Sequence, residues 1–145
     1  MNREPAAKKR ILFLCTHNSC RSQMAEGLVN HFLGNRFQAF SAGTEATRVN
    51  LLATRVMAEL GIDISGHHSK TMDEFAGQPF DYVITLCGDA NEKCPLFFGG
   101  VRRAHIGFDD PSRMKGPDDE VLPAYRRVRD EIRQRLIHFF EEECE

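Results

Sequence analysis

The chain has 145 residues, 41% of them apolar and 28% charged, a composition that suits one soluble domain built on one core. A net charge of −2 gives no reason to expect nucleic acid or an anionic membrane as a partner. The basic start (Arg3, Lys8, Lys9, Arg10) is followed by an apolar run of only Ile11 to Cys15. A signal peptide needs about 7–15 apolar residues and a membrane span roughly 20, so a cytoplasmic location is expected.

Residues 1–9 read as a flexible leader, 10–141 as a single domain that carries all the chemistry, and 142–145 as an acidic tail. Ile11 to Leu14 is apolar on both faces, as a buried parallel strand requires. A helix is expected from about Ser22 to Leu33, with Gly34 as its stop. Phe37 to Ala42 alternates weakly and reads as a second strand ended by Gly43. Asn50 is a suitable N-cap for a helix carrying Leu52, Val56 and Leu60, closed by Gly61. A loop with His67 and His68 leads to a short helical turn at Met72 to Ala76.

Tyr82 to Leu86 has the β-branched and aromatic content of a third strand, with Cys87 at its end as Cys15 ends the first. Residues 88–100 contain Asp, Asn, Lys, Pro and glycine and predict a long mobile loop. Val101 to Ile106, with two arginines and a histidine, predicts a weak strand at a sheet edge. After a turn at residues 107–112, the last helix takes Pro123 near its start and carries Tyr125, Val128, Ile132, Leu136, Phe139 and Phe140 as its apolar stripe. Asp118, Asp119 and Glu120 suit its positive end. Strands alternating with helices define an α/β fold: one domain, a four-stranded parallel sheet, helices on both faces. Ligand sites in such folds lie beyond the carboxyl ends of the strands, where Cys15 and Cys87 both fall.

Thr16, His17, Asn18, Ser19, Cys20, Arg21 and Ser22 form a short polar segment between strand and helix. Backbone N–H groups in such a loop converge, and the helix N-terminus adds positive charge, which together make an oxyanion site. Arg21 is placed to fork two oxygens of that anion. The same field lowers a thiol pKa, so Cys15 is expected as a thiolate near neutral pH. Ser22 is a candidate hydrogen-bond donor to that thiolate, and Asn18 suits a left-handed turn. His17 is assigned to solvent or a partner. Five cysteines, an odd number, argue against a structural disulfide framework. Their spacings, Cys-x4-Cys inside the anion loop and Cys-x6-Cys at 87 and 94, do not favour structural zinc. No metal and no cofactor is expected. His67-His68 is a conceivable metal pair, but adjacent loop histidines are more often solvated.

The run Leu14-Cys15-Thr16-His17-Asn18-Ser19-Cys20-Arg21-Ser22-Gln23-Met24-Ala25-Glu26-Gly27 resembles the signature of low-molecular-weight protein tyrosine phosphatases and their relatives, the thioredoxin-coupled arsenate reductases. Arg21 to Glu26, Thr85-Leu86-Cys87-Gly88-Asp89-Ala90 with Cys94-Pro95, and Gly107-Phe108-Asp109-Asp110-Pro111 are more similar to the reductases. The resemblance implies that Cys15 attacks arsenate, that Cys87 and Cys94 pass a disulfide outward, and that thioredoxin removes it. Phosphate would compete as an oxyanion. Asp110 would be the general acid, with Asp109 a solvated neighbour. Cys20 is weighed as structural, with a Cys15–Cys20 disulfide as a dead-end form, and Cys144 as an unreactive end residue. Some relatives bind potassium through Asn, Glu, Ser and Asp. Asn18, Glu26 and Ser41 match the first three, but Lys70 stands at the fourth, so no potassium site is expected. A monomer is expected. The rival readings are a phosphatase using Cys15, Arg21 and Asp110 alone, and a non-catalytic redox sensor.

Overall fold

A computed structural model describes residues 8–86 and 102–143. Four strands, β1 (Lys9–Cys15), β2 (Phe37–Gly43), β3 (Tyr82–Thr85) and β4 (Arg102–His105), form one parallel sheet in the order β2-β1-β3-β4. Three α-helices are described: α1 (Arg21–Phe32), α2 (Leu51–Ala58) and α3 (Asp118–Glu143). The parallel α/β architecture and the edge position of the weak fourth strand are as the sequence implied.

β1 is paired with a strand on each side and packed on both faces, and Ile11, Leu12, Phe13 and Leu14 are all fully buried. Ile11 and Phe13 join Met24 and Leu28 of α1, Val56 and Met57 of α2, and Val128, Ile132, Leu136 and Phe140 of α3 in the main core. Leu12 and Leu14 face the other way and pack with Val83, Phe75 and Phe80. Phe75 comes from a 3-10 helix at Met72–Phe75, and Phe80 from the segment that leads into β3. Each fully buried side chain of this size contributes roughly 1.5–3 kcal/mol, so β1, buried on both faces, is the least replaceable element.

Several boundaries differ from expectation. β1 starts at Lys9, inside the expected leader, because Lys9 pairs with Phe37 and its N–H reaches Arg36 O at 3.1 Å. α2 stops at Ala58, and Gly61 with φ +76° turns the chain out of it. α3 begins at Asp118, well before Pro123, and runs to Glu143. Three acidic residues at its positive end favour the early start. Pro123 lies on the exposed side, where water can serve the carbonyl that proline leaves without a donor. The expected mobile loop 88–100, Cys87, Cys94, Cys144 and leader residues 1–7 lie outside the described residues.

The chain leaves β1, forms β2 on one side, and returns to form β3 on the other. The crevice at the carboxyl end of β1 is therefore the topological switch point where α/β sheets place ligands. Leu86 N donates to Leu14 O at 2.9 Å, so Leu86, just past β3, lies against the end of β1.

Candidate active site

Cys15 is the last residue of β1 and is buried. The loop that follows turns through Asn18, the one described non-glycine residue with positive φ (+49°), as its side chain tolerates. Asn18 is fully buried and bonded at both ends of its amide. Its Nδ2 donates to Ser22 Oγ at 2.9 Å, and its Oδ1 accepts from Lys70 N at 2.9 Å and Gln23 Nε2 at 3.0 Å. Ser22 Oγ thus serves as an acceptor, and this bond leaves its own proton uncommitted.

The loop is also held from outside. Glu45 N and the Thr44 hydroxyl donate to Thr16 O at 2.9 and 3.1 Å, and Asn50 N donates to Ser19 O at 2.9 Å. Gly43 makes this approach possible. A Cβ there would stand 2.7 Å from Thr16 O and from Glu45 O, and 2.8 Å from Asn18 N. His17 lies half-exposed with its ring 3.4 Å from Glu45, and its carbonyl accepts from the Ser69 and Thr47 hydroxyls.

Arg21 opens α1 and is buried. Its Nη1 donates to Phe108 O at 3.1 Å, and its Nη2 stands 3.4 Å from Asp110 Oδ2. Nε is buried and has no hydrogen-bond partner among the described residues, a donor of the kind an oxyanion satisfies. Asp110 Oδ1 accepts from Ser112 N at 3.0 Å and Ser112 Oγ at 2.6 Å. Oδ2 is the oxygen that faces Arg21. Asp109 is exposed and pairs with Arg127 at 3.6 Å.

Cys20 is a buried free thiol at the N-cap position of α1, so no Cys15–Cys20 disulfide is present. Burial pushes its pKa far up, the Asp110 carboxylate adds to this, and Arg21 opposes it without prevailing. It is held as the neutral thiol.

Behind the loop, the Lys70 ammonium lies 3.5 Å from Asn18 Oδ1, 3.1 Å from His68 O and 3.9 Å from Glu26 Oε1, and Ser41 Oγ donates to that same glutamate oxygen at 2.6 Å. The lysine thus places a positive charge of the chain's own beside Asn18 and Glu26. Burial lowers the Lys70 pKa, against the pull of Glu26.

Two contributors escaped the sequence reading. Gln23 appeared only as part of a motif, yet it is fully buried and braces Asn18. Tyr125 appeared only as part of an apolar stripe. Its hydroxyl accepts from Asn50 Nδ2 at 3.2 Å and so ties α3 to the residue that holds Ser19. The signal available was the polar tip of a tyrosine in a buried stripe, which needs a partner. Cys87 and Cys94 lie outside the described residues. Among those described, the structure brings together Cys15, the 16–20 loop, Arg21, Ser22 and Asp110.

A strand–loop–helix oxyanion cradle with a thiol at its head and an Arg–Asp pair across it defines a phosphatase-like site. The family profile "Low molecular weight phosphotyrosine protein phosphatase" matches residues 10–144, and the chain belongs to that family. The arsenate reductase of Bacillus subtilis (strain 168) is 50% identical over 133 residues, covering 92% of this chain and 96% of the relative. A solved structure of an arsenate reductase in the phosphate binding state superposes with TM-score 0.75 at 32% identity, covering 92% of this chain and 98% of its own. An arsenate reductase in oxidized state gives 0.77 at 30% identity, with the same coverage.

Proposed function

We propose that the protein reduces arsenate to arsenite through a Cys15 adduct, using Cys87 and Cys94 as a disulfide relay that thioredoxin recycles in the cytoplasm. The observation that carries this reading is the buried Arg21 fork, with Nε unbonded and Nη2 beside Asp110, at the mouth of the Cys15 loop. The 50% identical relative that bears the name arsenate reductase supports reduction over hydrolysis.

The Cys15 thiolate attacks arsenic, and an oxygen leaves as water with the proton of Asp110 Oδ2. The Cys87 thiolate then attacks Cys15 Sγ. The sulfur–arsenic bond breaks, both electrons go to arsenic, and arsenite departs from a Cys15–Cys87 disulfide. Cys94 attacks Cys87, which frees Cys15 and leaves Cys87–Cys94 for a dithiol reductant such as thioredoxin. The enzyme needs no cofactor and acts as a monomer.

The first step is common to reduction and hydrolysis, so weak phosphatase activity accompanies the main reaction. The test is arsenate turnover with thioredoxin, thioredoxin reductase and NADPH. Cys87→Ser should abolish turnover yet keep hydrolysis of phenyl phosphate. If both activities are lost, the division of labour among the cysteines is wrong. If the unaltered protein reduces no arsenate, the phosphatase reading stands instead. Ser112-Arg113 after Asp-Pro, where phosphatases usually carry tyrosines, already counts against that reading.

A further inference from the structure

The orientation of the amides behind the anion loop can be deduced from backbone groups alone. Lys70 N is an obligate donor and lies 2.9 Å from the Asn18 side chain, so the atom it meets must be Oδ1. Nδ2 of Asn18 must then face Ser22 Oγ. Asn18 O and His68 O are obligate acceptors, each 3.1 Å from one end of the Gln23 amide, so that end must be Nε2. Its Oε1 is thereby turned to His67 Nδ1 at 2.9 Å, and an oxygen there requires a hydrogen on Nδ1. His67 is a donor in whichever protonation state it adopts.

The donors therefore run in one direction: from His67 Nδ1 to Gln23 Oε1, from Gln23 Nε2 to Asn18 O and Oδ1, and from Asn18 Nδ2 to Ser22 Oγ. Gln23, Asn18 and Ser22 are all fully buried, and only His67 reaches solvent. Chained hydrogen bonds polarise one another, and a buried acceptor stripped of its donor is costly. Glu26 Oε2 stands 3.5 Å from the same ring nitrogen, a longer contact than that of Gln23 Oε1, and adds a second acceptor for the Nδ1 hydrogen.

We propose that His67 is a positioning residue for the Cys15 thiolate. It fixes the Gln23 amide, which holds Asn18 in its left-handed turn and directs the Ser22 hydroxyl proton at the sulfur. The inference rests on Cys15 being the activated nucleophile.

The test is the rate of Cys15 alkylation by iodoacetamide, read on its peptide from the reduced full-length chain between about pH 6 and pH 9. His67→Phe keeps a ring but has no donor, whereas His67→Asn places an amide N–H where Nδ1–H stood. His67→Ala replaces the phenylalanine variant if that one does not fold. We expect His67→Phe to react about fivefold more slowly at the lower pH and at the parent rate at the higher, with His67→Asn following the parent throughout. Equal slowing at both ends would mean lost access or loosened packing and would overturn the proposal. So would a parent-like profile for His67→Phe, or an asparagine variant as slow as the phenylalanine one. A parent protein whose Cys15 is no more reactive at the lower pH than an ordinary thiol would overturn the nucleophile reading and this inference together.

Discussion

Arg21→Lys separates charge from geometry. Both side chains carry one positive charge, so the long-range field in the loop is unchanged. What goes is the fork. Arg21 uses Nη1 on Phe108 O at 3.1 Å and sets Nη2 3.4 Å from Asp110 Oδ2, while Nε remains for the oxyanion. One ammonium cannot fill three directions. A charged hydrogen bond is worth roughly 1.5–3 kcal/mol. Losing two and regaining one in poorer geometry costs about 3 kcal/mol in the transition state, or about two orders of magnitude in kcat/KM. Leaving Phe108 O without its donor costs about 1 kcal/mol more in stability. Arsenate reduction coupled to NADPH oxidation and phenyl phosphate hydrolysis should fall together, since both use the same cradle. A lysine variant within threefold of the parent on both substrates would show that charge alone suffices and that the fork has no role.

Replacing potassium by sodium at equal ionic strength should leave turnover unchanged, because the Lys70 ammonium stands among Asn18, Glu26 and Ser41; a large drop would refute that assignment. Gly43→Ala should lower stability by about 2 kcal/mol in urea unfolding, since backbone atoms meet the new Cβ at 2.7 Å and cannot give way; an unchanged midpoint would mean that the loop is looser than described. The hydrogen bond from Arg126, with Arg129 helping, holds the Glu59 carboxyl below its ordinary 4.5. Its contribution is present above 4.5 and lost as pH falls through the depressed folded value. Glu59→Gln should thus cost less than about 1 kcal/mol at neutral pH, given the exposure of the pair, and nothing in acid. A cost that persists in acid would exclude the ion pair as its source.

What could be read in the sequence was whatever is local. Ile11 to Leu14 is apolar without alternation, so its burial on both faces was legible, and with it the parallel sheet. Asn18 has φ +49° for a reason visible in its chemistry. Asn50 caps α2 through Ala53 N as its type predicts. The illegible parts join residues far apart in the chain. Arg21 is held by a carbonyl 87 residues away, and a carbonyl leaves no mark in sequence. Lys70 reaches Asn18 across 52 residues. Only a family resemblance placed it there, because no periodicity relates a loop lysine to a strand–helix turn. Asp110 likewise depended on its Asp-Pro context, since Asp109 has the same chemistry and only the fold turns it outward.

Cys15 and Cys20 show why such a relay needs distant thiols. They lie in one loop, five positions apart, and exchange between them would be the shortest route to a disulfide. Thiol–disulfide exchange requires a thiolate on the attacking sulfur. Cys20 is denied that form by burial and by Asp110, whose field outweighs that of Arg21 at this position. The Asp110 carboxylate that faces Arg21 thus also suppresses the nearest competing nucleophile. An attacking thiol has to come from elsewhere, and the carboxyl end of β3, whose Leu86 N binds Leu14 O, is the neighbouring point from which the chain can deliver one. The parallel pairing of β1 with β3 accordingly brings a part of the chain remote in sequence to the end of β1, and the proposed relay draws its second thiol from there.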